Sequence, residues 1–204
     1  VNQERNEFAK NAQATEILSD EDLNRNNSAL IEQSLSTISG VQVDKRTNIG
    51  GQRIVIRGFG NDQKFNNWGV KMYWNNMPLT NAEGIALLDD VDFSYVNNIE
   101  VIKGPASTLY GGGIGGTVKF YTRPSFEKGT SIAQNNMLGS HKYFQSITQL
   151  NSSDTNYSLN VNYGHIETDG YRPSGNGLKN VVNINGEYKL NPIQRITLFA
   201  SQGF

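Results

Sequence analysis

Residues 99–123 read Ile-Glu-Val-Ile-Lys-Gly-Pro-Ala-Ser-Thr-Leu-Tyr-Gly-Gly-Gly-Ile-Gly-Gly-Thr-Val-Lys-Phe-Tyr-Thr-Arg, and this stretch decides the fold. Val118 and Phe120 recur at alternate positions, as residues of a half-buried strand do. Gly104-Pro105 is a turn dipeptide and also suits the start of a short helix over residues 105–110. The stretch is therefore predicted to run strand, turn, helical turn, glycine loop and strand.

The run Gly111-Gly112-Gly113-Ile114-Gly115-Gly116 matches the G-x-G-x-x-G pattern of nucleotide-binding proteins. A dinucleotide fingerprint places its glycines after a strand and before a helix, whereas this run follows a helical turn and precedes a strand. No acidic residue stands about twenty positions on to hold a ribose, and no kinase-type H-R-D or D-F-G sequence follows. The glycines are therefore predicted to serve positive φ angles and close backbone packing.

The same stretch resembles the signature of the plug domain in TonB-dependent outer-membrane receptors. Residues 39–43 and 54–59 resemble two further plug motifs, in the order and at about the spacing of that family. The resemblance implies an α+β plug domain, which is a small mixed sheet with short helices, followed by antiparallel strands of a transmembrane β-barrel. It also implies a receptor that is not an enzyme and has no cofactor.

Composition limits the other classes of function. The chain has 204 residues, a formal net charge of −1 and 18% charged residues, so nothing indicates a nucleic-acid surface. The 21 glycines favour turn-rich β structure, and the lack of cysteine excludes disulfides and thiolate metal sites. Mean hydropathy is −0.52, which suits barrel strands because they alternate lipid-facing and lumen-facing residues.

Local signals predict two helices in the N-terminal half. Ser19 with Asp22 forms a capping box for a helix over residues 20–24. A second helix has three apolar residues on one face and ends at Gly40; they are Ile31, Leu35 and Ile38. Strands are predicted over residues 41–43, 52–57 and 70–74, with Asn75-Asn76 as the turn after the last of these.

The acidic run around Asp89 has two interpretations. Asp89, Asp90 and Asp92 do not match an EF-hand, since no glycine or distal glutamate completes the loop. Asp89 is instead predicted to cap a helix over residues 91–96. No metal site is expected.

After Pro124 the pattern becomes that of a barrel wall. Apolar and amide residues alternate over segments of about ten residues, as in transmembrane β-strands. Five such strands are predicted, near residues 130–138, 143–150, 157–163, 182–190 and 195–198. Because the receptor family has about 22 strands, we expect most of the wall to lie outside this sequence.

Three regions are therefore predicted. Residues 1–14 form a flexible N-terminal arm, residues 15–124 the plug domain, and residues 125–204 the first strands, about five, of the outer-membrane β-barrel. No convincing TonB box is found. Residues 14–18 resemble one superficially, but their position before a helix cap favours the first plug strand.

The resemblance implies three sets of functional residues. The ligand-facing plug loops fall on residues 57–62 and 80–84, where the expected contacts are Arg57, Phe59, Asn61, Asp62, Asn81 and Glu83. The expected polar contacts between plug and barrel are Arg57, Glu100, Lys103 and Arg123. Ordinary ion pairs within the plug are the alternative for these charges, because a buried charge needs a partner. The structural glycine loop comprises Gly104, Pro105, Gly111, Gly115 and Gly116.

The function implied is TonB-dependent import of a scarce ligand across the outer membrane of a Gram-negative bacterium. The expected partners are TonB with its inner-membrane partners ExbB and ExbD, a small-molecule ligand and membrane lipid. Glycan importers have Lys-Asp-Ala-Ser where this chain has Lys103-Gly-Pro-Ala-Ser, which favours a ferric siderophore as ligand, with haem or cobalamin as alternatives. Two other classes remain open: a β-rich surface binding or adhesion module, and a nucleotide-binding enzyme.

Overall fold

The computed structural model of the chain describes residues 14–25, 31–45, 47, 49–61, 67–86, 88–89, 91, 93–94, 96–104, 113–122 and 128–204. The chain forms two compact units. The first comprises residues 1–46, 52–88 and 96–122, and the second comprises residues 47–51, 89–95 and 123–204. The predicted limits of arm, plug and barrel stay predictions, and residues 1–13 of the arm lie outside the described residues.

The first unit is a mixed α+β domain. Its elements are β1 (Ala14–Leu18), α1 (Asp20–Arg25), α2 (Ile31–Leu35), β2 (Val41–Lys45), β3 (Gln52–Ile56), β4 (Val70–Trp74), β5 (Met77–Pro78), β6 (Asn98–Lys103) and β7 (Gly116–Tyr121). Five strands form one sheet in the order β1-β6-β7-β4-β5, and β2 pairs with β3. Strands β4 and β7 are parallel, and the other neighbours are antiparallel. The predicted small mixed sheet with short helices is confirmed.

The core of this unit follows from the period of two along its strands. Met72 and Trp74 on β4, and Val118 and Phe120 on β7, are each 0% exposed. The Trp74 and Phe120 rings pack with centroids 6.0 Å apart. Alternate side chains of a strand point to the same face, so these four residues form one apolar surface.

The predicted capping box and first helix near the N-terminus are confirmed. The Ser19 amide donates to Asp22 Oδ2 at 3.1 Å and the Asp22 amide donates to Ser19 Oγ at 3.4 Å, which is the predicted capping box. The second helix is shorter than predicted: it ends at Leu35, and turns follow to Gly40, which has φ of +77°. Ile31, Leu35 and Ile38 are buried as predicted, but Ile38 lies in these turns and not in the helix.

The predicted helix over residues 91–96 is wrong. Among the described residues of that segment the backbone is turn or irregular, and Asp89 caps no helix. Its carboxylate accepts a hydrogen bond from the Gly51 amide at 2.5 Å instead. A contact across 38 positions has replaced the local cap, which a local pattern does not encode. The predicted helical turn over residues 105–110, with Pro105, lies outside the described residues, as does Gly111.

The second unit contains five antiparallel strands. They are β8 (Gly129–Leu138), β9 (Phe144–Ser153), β10 (Tyr157–Thr168), β11 (Gly177–Lys189) and β12 (Arg195–Gly203). The order is β12-β11-β10-β9-β8, so within the described residues the sheet is open at β8 and at β12. All five predicted wall strands are confirmed, and each is as long as or longer than predicted.

The two faces of this wall are inverted relative to a water-soluble sheet. One face exposes large apolar side chains, and the following six are 37% to 59% exposed: Tyr157, Leu159, Tyr163, Tyr188, Ile196 and Leu198. The other face buries polar side chains, among them Gln145, Ser158, Asn162 and Asn183. Apolar-out and polar-in alternation is the pattern of a transmembrane barrel wall.

Helices contribute no membrane span: no helix in the described ranges is long and apolar enough to cross a bilayer.

Candidate functional site

Asn67 holds together the segments that follow the two loops predicted to meet the ligand. It is 2% exposed, and its Oδ1 accepts a hydrogen bond from the Ile54 amide at 2.7 Å. Its Nδ2 donates to the carbonyls of Gln52 at 3.0 Å and Ala86 at 3.1 Å. The Ala86 amide returns a bond to the Asn67 carbonyl at 3.2 Å. One buried amide thus fixes the end of the first loop against β3 and against the second loop.

The second loop is organised by Asn81. Its Oδ1 accepts hydrogen bonds from the amides of Glu83 and Ile85, both at 3.0 Å. Its backbone amide donates to the Ile85 carbonyl at 2.9 Å. The Asn81 carboxamide oxygen is therefore used in shaping the loop, while its NH₂ group and the exposed Glu83 carboxylate remain on the surface.

Trp68 stands beside this loop. A Cβ placed on Gly84 would lie 3.8 Å from the Trp68 Nε1, and the Trp68 side chain is 47% exposed. Asn81, Glu83 and Trp68 are all exposed, so this loop and its neighbour offer amide, carboxylate and indole groups to solvent. An exposed tryptophan is a flat apolar surface with a hydrogen-bond donor, which suits contact with a ligand.

Arg57 and Phe59 belong to a separate feature, the tight turn that ends β3. Ile56 and Phe59 exchange two backbone hydrogen bonds, at 3.0 and 2.9 Å, while Arg57 and Gly58 adopt φ of 51° and 86°. Phe59 is 47% exposed and lies against Gly115. Of the six predicted ligand contacts, Arg57 and Phe59 thus lie at this turn, and Asn81 and Glu83 lie in the second loop. Asn61 is exposed, Asp62 lies outside the described residues, and a ligand role for all six stays a prediction.

The described part of the glycine loop packs backbone against backbone. The Gly104 amide donates to the Gly115 carbonyl and the Gly115 amide to the Gly69 carbonyl, each at 2.9 Å. Gly104 has φ of +106° and Gly116 has φ of +150°. A Cβ on Gly116 would lie 2.3 Å from the Ile102 carbonyl oxygen. Side chains are excluded here because three chain segments meet at backbone distance.

Two of the four charged residues, Glu100 and Lys103, pair within the first unit. Lys103 Nζ lies 2.9 Å from Glu16 Oε1 and donates to the Ser39 carbonyl at 3.2 Å. Glu100 pairs with Lys119 at 3.3 Å, directly across the β6–β7 register.

The predicted contacts of these charges with the barrel stay a prediction. Among the described residues no carboxylate forms an ion pair with Arg57, and Arg123 lies outside the described residues. Within the described part of the chain, no group of three or more His, Cys, Asp or Glu residues is arranged to hold a metal ion.

Sequence reasoning overlooked Asn67. It lies among several amides in one loop, and nothing local separates it from exposed Asn61. Its role depends on β3 and on residue 86, which are 13 and 19 positions away. An alignment of related sequences in which this position is always asparagine would have been needed to identify it.

Comparison with known proteins agrees with this architecture. A protein-family model described as the TonB-dependent receptor plug domain matches residues 8–117, more than half of the chain.

Solved structures match as well. The ferric yersiniabactin uptake receptor FyuA from Yersinia pestis superposes with a TM-score of 0.71 at 20% identity, over 95% of this chain and 32% of that one. The copper transporter OprC has a TM-score of 0.71 at 19% identity, with coverage of 93% and 30%. The pyoverdine-bound receptor FpvA from Pseudomonas aeruginosa PAO1 gives 0.71 at 15% identity, with coverage of 94% and 27%. The chain therefore spans about a third of the length of these proteins.

Proposed function

Because its plug domain shows that this chain belongs to the family of TonB-dependent receptors, we propose that it takes part in energy-coupled import across a bacterial outer membrane. Members of this family are receptors and transporters, not enzymes. The observation that carries the proposal is the succession of a plug fold and five antiparallel strands with an apolar exposed face and an amide-rich buried face. Such a wall suits lipid on one side and a polar lumen on the other.

In this function the first unit gates the pathway. The ligand binds from outside at the loops around Asn61, Asp62, Asn81 and Glu83, beside Trp68. Binding makes the N-terminal arm accessible to TonB, which acts with ExbB and ExbD. Tension on the arm then reaches β1 first, because β1 begins at Ala14 and is an edge strand of the sheet.

A ferric siderophore is the proposed ligand. Two of the matching structures are described as a ferric yersiniabactin uptake receptor and a receptor bound to pyoverdine. A third is a copper transporter with the same fold, so the fold does not select the cargo. Haem and cobalamin are the alternative ligands. A surface adhesion module is the alternative of another class.

The test uses the receptor that contains this chain, produced in a Gram-negative host deleted for its own iron-chelate receptors. Uptake is measured with radioactive iron on a panel of ferric siderophores, with haem and with labelled cobalamin, in hosts with and without TonB. The proposal expects uptake of at least one siderophore that disappears without TonB. Uptake that is equal in both hosts would refute energy coupling.

A second measurement separates a transporter from an adhesion module. Protease added to intact cells should leave the plug residues uncleaved when a barrel encloses them. Complete cleavage within residues 15–122 on intact cells would favour the adhesion module.

A further inference from the structure

Two loop segments of the N-terminal half belong to the same compact unit as the wall strands. Residues 47–51 and 89–95 cluster with residues 123–204. One contact joins Ile49 to Gly177, the first residue of β11. A Cβ on Gly177 would lie 2.3 Å from Ile49 Cδ1 and 3.0 Å from its Cγ1. Gly177 is therefore a notch in the wall that the Ile49 side chain fills.

The segment that carries Ile49 is itself held in a defined shape. The Thr47 amide and hydroxyl both donate to the Gly50 carbonyl, each at 3.1 Å. Asp89 from the other segment accepts the Gly51 amide at 2.5 Å. A carboxylate bound to a backbone amide is a strong hydrogen bond, so the two segments are coupled to one another.

The second segment makes its own contact with β11. Lys179 Nζ lies 3.5 Å from the Val91 carbonyl oxygen, and Val91 is 4% exposed. Gly177 and Lys179 are two residues apart on β11 and therefore project from the same face. The two segments thus meet β11 at adjacent positions, and Asp89 links them. We call this set, Ile49, Gly51, Asp89, Val91, Gly177 and Lys179, the β11 anchor.

The β11 anchor and β1 differ in how they come apart. β1 pairs with β6 by a ladder that starts at Ala14 and Lys103, so tension from the preceding arm opens it one pair at a time. The anchor lies inside the chain and has no end at which separation could begin. The Ile49–Gly177 contact and the Lys179–Val91 contact belong to two segments that the Asp89–Gly51 hydrogen bond couples, so these contacts are lost together. Sequential opening meets a lower barrier than the simultaneous loss of several contacts, since each step exposes little surface.

We propose that the β11 anchor, which belongs to the second unit, stays docked on the wall during transport, and that only parts of the first unit move aside. This inference rests on the proposed function, because it concerns which segment moves during import. It divides the plug into a fixed part, around residues 47–51 and 89–95, and a releasable part that begins with β1.

The geometry permits a direct test by a disulfide. Ile49 Cγ2 is 4.0 Å and Cγ1 is 3.0 Å from the Cβ position on Gly177. The Ile49 Cβ is one bond from Cγ1, which keeps the two Cβ positions within about 4.5 Å, inside the range for a disulfide. The chain has no cysteine of its own. The double variant Ile49→Cys/Gly177→Cys in the whole receptor therefore gives a defined cross-link, with both single variants as controls.

Uptake is compared in the oxidised and reduced double variant. A static anchor predicts that the disulfide forms and that uptake stays within about twofold of the reduced state. A loss of about tenfold or more that a reductant reverses would show that the anchor must separate, which overturns the inference but leaves import intact. Failure of the disulfide to form in an assembled receptor would also overturn it. Absence of TonB-dependent uptake in the unmodified receptor would instead refute the proposed function.

A single variant covers the case in which the double variant does not assemble. Ile49→Cys with Gly177 intact places a small thiol in the notch. A static anchor predicts equally slow maleimide labelling at rest and during uptake. Labelling that becomes about tenfold faster during uptake would contradict it, since only an opened anchor exposes the thiol.

Discussion

Gly115 lies at a tight point of the first unit, where the glycine loop packs against Phe59. A Cβ on Gly115 would lie 2.4 Å from the Phe59 Cβ, a backbone-proximal atom that no rotamer change moves away. Gly115 is not among the residues of positive φ, so an alanine there is penalised by contact and not by backbone strain.

Gly115→Ala is therefore expected to destabilise the first unit by about 1–3 kcal/mol through overpacking. The measurement is the hydrogen-exchange protection of β7 amides in the whole receptor. Gly186→Ala is the control, because its Cβ would lie an ordinary 3.6 Å from Leu198. Equal protection in Gly115→Ala and the unmodified receptor would contradict the expectation.

A second prediction concerns the buried side chain of Asn67. Asn67→Ala leaves the Ile54 amide and two carbonyls without their buried partner and should cost about 3 kcal/mol. The hydrogen-exchange rate of the Ile54 amide should rise in this variant, since that amide donates its hydrogen bond to Asn67. Asn61→Ala, an exposed asparagine of the same loop, should leave it unchanged. An unaltered Ile54 exchange rate in Asn67→Ala would show that another group holds the loop.

The turn between β4 and β5 shows how two identical residues differ in role. Asn75 and Asn76 have φ of 45° and 70°, as in the left-handed turns that favour Asn-Gly. Asn75 also bonds Thr122 twice, through Nδ2 to the hydroxyl at 2.6 Å and through Oδ1 from the amide at 2.9 Å. The first asparagine is held by its side chain, and the second is needed for its backbone angle.

Asn76→Gly should stabilise the turn by up to about 1 kcal/mol, because glycine adopts positive φ without strain. Asn75→Gly should instead cost about 1–2 kcal/mol, because the two bonds to Thr122 disappear. Exchange of the Leu79 amide, which bonds the Met72 carbonyl across the turn, distinguishes the two. Shifts of the same sign in both variants would contradict these separate roles.

The β2–β3 hairpin carries a pH-dependent contact. Asp44 and Arg53 face one another in register and pair at 2.5 Å. The hydrogen bond from Arg53 lowers the pKa of Asp44 below its ordinary 3.8, against the opposing effect of burial. A lowered folded pKa means that the pair stabilises the hairpin above about pH 4 and that this stabilisation is lost as the pH falls through the folded value.

Asp44→Asn should therefore remove part of the acid sensitivity of the hairpin. The effect is at most about 1 kcal/mol, because solvent screens a pair that is partly exposed. It is measured as the change in protection of β2–β3 amides between about pH 7 and about pH 3, corrected for intrinsic exchange rates. If the unmodified hairpin and Asp44→Asn lose the same protection in acid, the pair does not contribute.

At the scale of the whole molecule, the distribution of apolar surface separates the two units. The first unit buries most of its large apolar residues in a core, whereas the wall exposes many of them on one face. Leu198 on β12 and Ile193 in the β11–β12 connection are both exposed, by 59% and 93%. In water they would be equivalent, but only Leu198 lies on the face proposed to contact lipid.

Leu198→Arg should therefore cost about 2–4 kcal/mol of receptor stability in lipid vesicles, while Ile193→Arg should cost little. The measurement is the free energy of unfolding of the whole receptor from vesicles. Equal and small effects of both substitutions would mean that the β12 face does not lie in the bilayer.

Features that depend on neighbouring residues could be predicted from the sequence, and features that depend on distant residues could not. Strand alternation, the Ser19–Asp22 box and the Asn75-Asn76 turn were predicted because each depends on residues within a few positions. The helix after Asp89 was predicted wrongly for the same reason: its carboxylate satisfies a backbone amide of a distant loop. The predicted ligand residues were inferred by resemblance, and the placement of Phe59 in a turn separate from the Asn81 loop could not be foreseen.

By itself the sequence determined the family, through a plug signature of some 25 residues, and the order of a mixed sheet followed by alternating wall strands. The tertiary structure alone decided that Asn67 joins two loops, that Lys103 pairs with Glu16, and that Ile49 fills the notch at Gly177. The physical reason is that periodicity and turn chemistry act between neighbours in the chain. A buried amide, a charge pair or a glycine notch is specified only when strand register brings distant residues to contact distance.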